Sequence, residues 1–186
     1  MNIRQKCSAL VAASFLILAG LSATASEVDD IRAIYNRVEK QISAKELLQI
    51  QLNYNANEYP VDGVPEVLSF WVNPESDKVA AKISTHHVAS LTRFTTEFYY
   101  NKNGECVFVY HVVDNTQEKT TNQFRIYYKN KTAIQVILTD FSGKKEISKE
   151  TLTENFGIDL GSLVKDFFKT SQENMAFFNV VMNRRK

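Results

Sequence analysis

Residues that interrupt or cross-link a chain are scarce in this sequence, which has six glycines, three prolines and two cysteines in 186 residues. Collagen-like repeats and disordered linker arrays need far more glycine and proline, so both are excluded. The sequence also has no dinucleotide fingerprint, no phosphate-binding loop and no Gly-X-Ser-X-Gly motif. What remains is 44% hydrophobic and 23% charged, which is the composition of an ordinary folded domain.

A surplus of one charge is absent as well. The formal net charge is +1 at neutral pH, and it becomes −1 if residues 1–25 are removed, because Arg4 and Lys6 are their only charged residues. A chain this close to neutral has no electrostatic footprint for nucleic acid. We therefore expect no nucleic-acid partner.

The N-terminal segment has the pattern of an export signal. A charge-free run from Ala9 to Leu21 follows the two cations and precedes small residues that end at Ala25. The run is shorter than the roughly 20 apolar residues that span a bilayer, and Leu21 stands where a lipoprotein needs cysteine. We expect residues 1–25 to be a cleaved signal peptide and residues 26–186 to form one exported domain, periplasmic or secreted, with no membrane anchor.

Cleavage at that point leaves Cys106 without a cysteine partner, so no intramolecular disulfide is expected. Cys106 begins an apolar stretch that ends at Tyr110, where a buried thiol acts as a small hydrophobic residue. No cation adjoins it in sequence to lower its pKa. A core role is therefore favoured over a reactive or dimer-forming thiol.

Hydrophobic periodicity indicates an α+β domain. Apolar residues recur at three- and four-residue spacing from Val28 to Ile42 and from Leu160 to Phe178, which predicts an N-terminal and a C-terminal helix. A shorter helix is predicted from Ser148 to Phe156. Predicted strands separated by short turns, typical of antiparallel neighbours, are Leu48–Tyr54, Glu66–Asn73, Lys78–Val88, Leu91–Asn101, Glu105–Val113, Asn122–Lys129 and Thr132–Asp140. We expect an antiparallel sheet of about six or seven strands with the helices packed on one face.

One hairpin has a turn that predicts its register. The segment from Asn101 to Glu105 suits a type I turn followed by Gly104 in the left-handed region, which closes a three-residue loop. The aromatic core face then pairs Tyr100, Phe98, Thr96 and Phe94 with Cys106, Phe108, Tyr110 and Val112. A second, mixed face pairs Tyr99, Glu97 and Thr95 with Val107, Val109 and His111.

The mixed face holds the best candidates for chemistry. In this register His111 lies opposite Thr95 and diagonal to Glu97, about 7 to 8 Å away at Cα. A glutamate beside an imidazole can orient it as a general base, although the same pair also occurs as an ordinary cross-strand contact. We take His111 and Glu97 as candidate catalytic residues and Thr95 and Tyr99 as candidate binding residues.

The histidines do not have the spacing of a metal site. His86 and His87 are adjacent in a predicted strand, so their side chains point to opposite faces. The sequence contains no Cys-X-X-Cys or His-Glu-X-X-His motif. We predict no metal and no other cofactor.

The hairpin from Glu97 to Tyr110 has two tyrosines before an Asn-Gly turn and an apolar return strand. This pattern resembles hairpins in many exported bacterial proteins without an assigned function; a second hairpin, with Tyr127 and Tyr128, lacks the glycine. The order of helix and sheet also resembles the nuclear-transport-factor-2-like fold. That resemblance implies a pocket between a curved sheet and helices, either catalytic or merely binding, and it transfers no functional residue.

Because no group of residues specifies a reaction, we expect an exported, non-enzymatic binding or interaction protein whose ligand is a small molecule or another protein. The alternative is a small pocket enzyme, hydrolase- or isomerase-like, that uses His111 and Glu97. A third hypothesis is a structural component of the cell envelope that dimerises through an exposed sheet edge.

Overall fold

The computed structural model describes residues 26–54, 66–140, 145–146 and 159–183. The predicted signal peptide and the short helix predicted from Ser148 to Phe156 lie outside the described residues. Helix α1 covers residues 26–43 and helix α2 covers Leu160–Asn183. The strands are β1 (Leu48–Tyr54), β2 (Glu66–Asn73), β3 (Ser76–Ala89), β4 (Thr92–Tyr100), β5 (Cys106–Asn115), β6 (Thr120–Lys129), β7 (Thr132–Asp140) and β8 (Lys145–Glu146).

The strands form one antiparallel sheet in which each strand pairs with the next strand along the chain, from β1 to β8. Strand β8 has only two residues, so within the described residues the sheet has seven full strands and a short eighth strand at one edge. The predicted α+β class, the antiparallel sheet and the helix at each end are confirmed.

The turn between β4 and β5 has the predicted geometry. The main-chain nitrogen of Asn101 donates to Glu105 O, and that of Gly104 donates to Asn101 O, each at 3.0 Å. The Asn101 side chain accepts hydrogen bonds from the main chain of Asn103 at 2.9 Å and of Glu105 at 3.1 Å. Gly104 has a φ of 79°, where a side chain would strain the backbone. The three-residue loop is confirmed.

Every second hairpin of the described sheet, β2–β3, β4–β5 and β6–β7, contains a β-bulge after the turn. The extra residues are Ala81 in β3, Val107 in β5 and Ile134 in β7. A bulge places two consecutive side chains on one face of the sheet, as Val107 and Phe108 are in β5. Every residue beyond the bulge therefore faces the side opposite to the one that regular alternation predicts.

The bulge overturns the register predicted for the first hairpin. Tyr100 pairs with Cys106 as predicted, but Phe98 pairs with Val109 and His111 pairs with Thr96 instead of Thr95. His111 consequently leaves the mixed face. The bulge cannot be predicted from the residue types, because Val107 and Phe108 are both apolar and either suits a buried position.

The two helices cover opposite faces of the sheet, which corrects the prediction that they share one face. Helix α1 packs on the face that contains Tyr99, Phe108 and Tyr127. Helix α2 packs on the other face, where Tyr100 is buried in the larger core cluster. The physical reason lies in the Tyr-Tyr pairs: consecutive strand residues point to opposite faces, so each pair gives both faces a large ring to bury.

Candidate functional site

A groove of about 400 Å³ lies between α1 and strands β5 to β7, and we call it the α1 groove. Alternate residues of each strand share a face of the sheet, and residues three or four apart share a face of the helix. This spacing brings together the lining residues Arg32, Tyr35 and Asn36 from α1, Phe108 and Tyr110 from β5, Arg125 and Tyr127 from β6, and Ile137 from β7.

Aromatic rings form much of the surface of the α1 groove. Phe108 pairs across the strands with Tyr127, and their ring centroids are 4.9 Å apart. The ring of Tyr35 meets Phe108 edge-on at 5.5 Å. These contacts hold the rings in fixed positions, so the groove has rigid apolar walls.

Two guanidinium groups lie over rings of the groove. Arg32 Cζ is 5.8 Å from the centroid of the Tyr127 ring, and Arg125 Cζ is 5.7 Å from that of Tyr110. Such distances allow a cation–π attraction. Burial raises the pKa of both Tyr35 and Tyr110, so their phenols are protonated hydrogen-bond donors at neutral pH.

A polar cluster on the same face fixes α1 to the sheet, and we call it the Lys82 network. Lys82 Nζ lies 2.8 Å from Glu39 Oε1 on α1 and 2.7 Å from Glu97 Oε1 on β4. The Tyr99 hydroxyl lies 2.8 Å from Glu39 Oε1 and 2.7 Å from Glu97 Oε2. Burial and the adjacent Glu97 carboxylate raise the pKa of Tyr99 well above its usual value.

Lys82 is 5% exposed and Tyr99 is fully buried, so the network is a structural support. The Tyr99 ring also meets Tyr35 at 5.1 Å. Because Tyr35 lines the α1 groove, the network supports one wall of the groove from behind.

The predicted catalytic residues lie on opposite faces of the sheet. Glu97 belongs to the Lys82 network on the α1 face. His111 is surrounded on the α2 face by rings, with centroids 6.4 Å away for Phe94, 5.6 Å for Phe124 and 4.9 Å for Phe167. The pair on which a pocket enzyme would depend is therefore not formed, because the bulge reverses the side to which His111 points.

His111 is half-buried among aromatic rings. Its Nδ1 is 2.8 Å from Thr96 Oγ1, and burial lowers its pKa to about 4. The imidazole is therefore neutral at physiological pH and hydrogen-bonded inside an aromatic cluster.

The predicted binding residues Thr95 and Tyr99 do lie on the α1 face, although neither lines the α1 groove. Thr95 Oγ1 is 3.1 Å from Nδ1 of His86. The histidine opposite Thr95 is thus His86 of β3, whereas the sequence predicted His111 of β5. Sequence reasoning missed Arg32, Tyr35 and Arg125. The spacing of Arg32, Tyr35 and Asn36 in the sequence places them on one face of a helix. Which strand residues face them depends on strand pairing, which the sequence does not show.

A second groove, of about 590 Å³, lies along the other side of α1. Charged and polar side chains make up most of its lining, including Arg37, Gln41, Lys78 and Lys102. Ligand sites are mostly apolar with a few convergent polar groups. The α1 groove differs from the second groove in aromatic content: Tyr35, Phe108, Tyr110 and Tyr127 are among its described lining residues, against Tyr100 in the second groove.

The chain matches no family model, and no curated protein or solved structure matches it either. The resemblance to exported proteins and to the nuclear-transport-factor-2-like fold stays a prediction. No helix within the described residues is long and apolar enough to cross a membrane.

Proposed function

We propose that this chain is an exported binding protein that holds a small molecule in the α1 groove. The observation that carries the proposal is the composition of the groove: aromatic walls around about 400 Å³ with arginine and tyrosine donors at their edges. Small-molecule sites have volumes from about 300 Å³ and combine apolar walls with a few placed polar groups.

The way α1 is held supports a preformed site. The Lys82 network bonds Glu39 of the helix to the sheet, and Tyr35 packs edge-on against Tyr99 and Phe108. A groove whose walls are already fixed loses little conformational freedom when a ligand binds, which favours affinity.

The separation of His111 from Glu97 favours binding over catalysis, because the acid–base pair of the alternative hypothesis does not meet in the groove. The export part of the proposal depends on the N-terminal sequence pattern alone. Expression of the full chain in a bacterial host tests it: protein recovered from the periplasm should begin at Ser26, and an uncleaved cytoplasmic product would contradict export.

Native mass spectrometry of that protein tests whether a small molecule co-purifies with it. Fluorescence titration with the neutral probe N-phenyl-1-naphthylamine tests whether it binds a defined ligand. Asn36→Trp fills the groove with an indole and should abolish binding of both the probe and any co-purified molecule. Ala33→Trp is the matched control, since Ala33 is exposed on α1 and outside the groove lining. Equal binding by the two variants, or probe binding that never saturates, would contradict the proposal.

A further inference from the structure

We propose that the ligand of the α1 groove is a monoanion: a ring-bearing or aliphatic apolar body with one carboxylate-type group held between Arg32 and Arg125. This inference depends on the proposed function and adds the chemical class of the ligand. It is carried by the placement of the two guanidinium groups and by the balance of charge around them.

The two arginines reach the groove from different elements, Arg32 from α1 and Arg125 from β6. Arg32 lies over the ring of Tyr127, and Tyr127 is two residues from Arg125 on the same face of β6. Residues two apart in a strand are separated by about 7 Å. One small ligand can therefore contact both guanidinium groups and the rings beside them.

The existing partners of the two guanidinium groups leave both able to bind a ligand. Arg32 Nη1 donates to Asp29 Oδ1 at 3.0 Å, and Arg125 Nη2 donates to Gln123 Oε1 at 2.9 Å. A guanidinium has five N–H donors, so an oxyanion can be added without displacing either contact. Asp29 is highly exposed, which weakens its hold on Arg32.

The charge of the lining favours an anion with a single charge. Among the described residues that line the groove none is acidic, and two are arginines. Asp29 offsets one of these positive charges, and the Lys82 network behind Tyr35 adds one negative charge in excess, because Lys82 pairs with both Glu39 and Glu97. The surroundings of the two guanidinium groups are therefore close to neutral, so a carboxylate with a single charge meets less repulsion there than a phosphate monoester with about −1.5 to −2.

The remaining polar groups of the groove suit the same ligand. The phenols of Tyr35 and Tyr110 and the amide of Asn36 can donate to ligand oxygens. The partly exposed side chains of Tyr35, Tyr110 and Ile137 offer contact to an apolar or aromatic body. An uncharged ligand would offer no anionic acceptor to the guanidinium donors that Asp29 and Gln123 leave unused.

A matched pair of probes tests the charge directly. 1-Anilinonaphthalene-8-sulfonate and N-phenyl-1-naphthylamine share a ring system and differ by one sulfonate. For the wild-type protein we expect the anionic probe to bind at least about tenfold more tightly, because only its sulfonate can accept charge-assisted hydrogen bonds from the guanidinium groups. Added salt should weaken the anionic probe and leave the neutral probe unchanged.

Arg32→Gln and Arg125→Gln should each weaken the anionic probe by about tenfold and hardly affect the neutral one. Arg37→Gln is the matched control, because Arg37 is an exposed arginine of α1 outside the α1 groove lining. The salt dependence of the wild-type protein provides the same readout if a variant fails to fold. Displacement by naphthalene-1-carboxylate should exceed that by naphthyl phosphate.

Each contrary outcome identifies what has failed. Equal saturable binding of the two probes, or variants that behave like Arg37→Gln, overturns the monoanion and leaves the binding function standing. Stronger displacement by the phosphate also overturns the monoanion. Failure of both probes to saturate overturns the monoanion and the proposed function together.

Discussion

The hydroxyl of Tyr100 donates a hydrogen bond of 2.8 Å to the main-chain carbonyl oxygen of Ser171. Tyr128 makes the same bond to Val164 at 2.8 Å. The tyrosines lie two strands apart, about 10 Å, and the carbonyls lie seven residues apart along α2, about 10.5 Å. The distance between the two tyrosines therefore matches the distance between the two carbonyls. Helix α2 crosses the strands, and every second strand contacts the helix seven residues further along.

The same spacing continues to β2 without a hydroxyl. Phe178, seven residues beyond Ser171, is fully buried and packs its ring against Phe70 of β2 at 5.4 Å. Val72 of β2 stands at the position that corresponds to Tyr100 and Tyr128. The contact between α2 and β2 is therefore made by apolar side chains and not by a tyrosine hydroxyl.

Removing either hydroxyl should weaken the attachment of α2. We expect Tyr100→Phe and Tyr128→Phe each to lower the free energy of unfolding by about 1 kcal/mol, the usual contribution of a hydrogen bond. The two effects should add within about 0.5 kcal/mol, because the sites share no partner. Urea denaturation measures both. Tyr35→Phe keeps its ring contacts and serves as the control; a loss as large in Tyr35→Phe would contradict the assignment.

Much of the fold could be predicted because its signals are local. Gly104 and its neighbours encode the turn, and the face of Glu97 and Tyr99 follows by counting back from that turn along β4. A longer signal is also present: Phe70-Trp71-Val72, Phe98-Tyr99-Tyr100 and Ile126-Tyr127-Tyr128 recur every 28 residues. This recurrence marks the repeated hairpins that the structure contains.

The candidate site could not be predicted, because it depends on the position of a bulge and on contacts between residues far apart in the sequence. The bulge at Val107 decides the face of His111, and an apolar pair such as Val107 and Phe108 fits either arrangement. Arg32 and Arg125 come from distant parts of the chain. Their meeting depends on which face of the sheet α1 covers, and the Tyr-Tyr pairs make both faces suitable.

The Lys82 network should contribute strongly to stability. We expect Lys82→Met to lower the free energy of unfolding by about 2 to 3 kcal/mol, because the carboxylates of Glu39 and Glu97 lose the cation between them. This is less than for a fully buried pair, since their side chains are 36% and 22% exposed. Thermal and urea unfolding of the variant measure the loss.

The same network provides its own control. Glu97→Gln introduced into the Lys82→Met protein removes one stranded carboxylate and should restore part of the stability. A double-mutant cycle should give a coupling energy of about 1 kcal/mol or more. Strict additivity of the two substitutions would show that Lys82 and Glu97 do not act together.

Cys106 should be unreactive in the folded protein. The thiol is buried, and burial raises its pKa to about 12, so almost no thiolate exists at neutral pH. For the chain without residues 1–25, which contain Cys7, we expect no modification by Ellman's reagent without denaturant and one equivalent in urea. Ala33→Cys puts a thiol on an exposed position of α1 and should react at once; rapid labelling of Cys106 itself would contradict its burial.

His111 should make stability depend on pH. Burial lowers its pKa to about 4 in the folded protein, against 6.5 when unfolded. Below pH 6.5 the imidazole becomes protonated in the unfolded chain but stays neutral in the folded protein. This histidine therefore destabilises the fold increasingly as the pH falls to about 4. The full effect is about 3 kcal/mol, and it is absent above pH 6.5.

The double variant His111→Phe with Thr96→Val isolates this effect. It keeps a ring among Phe94, Phe124 and Phe167 and removes the Thr96 hydroxyl that would otherwise lose its partner. The difference in unfolding free energy between wild type and variant cancels other titrating groups, so it should change between pH 6.5 and 4 and be constant from pH 7 to 8. A difference that stays constant down to pH 4 would mean that His111 is protonated in the folded protein as readily as in the unfolded chain. The neutral imidazole assigned to the folded protein would then be wrong.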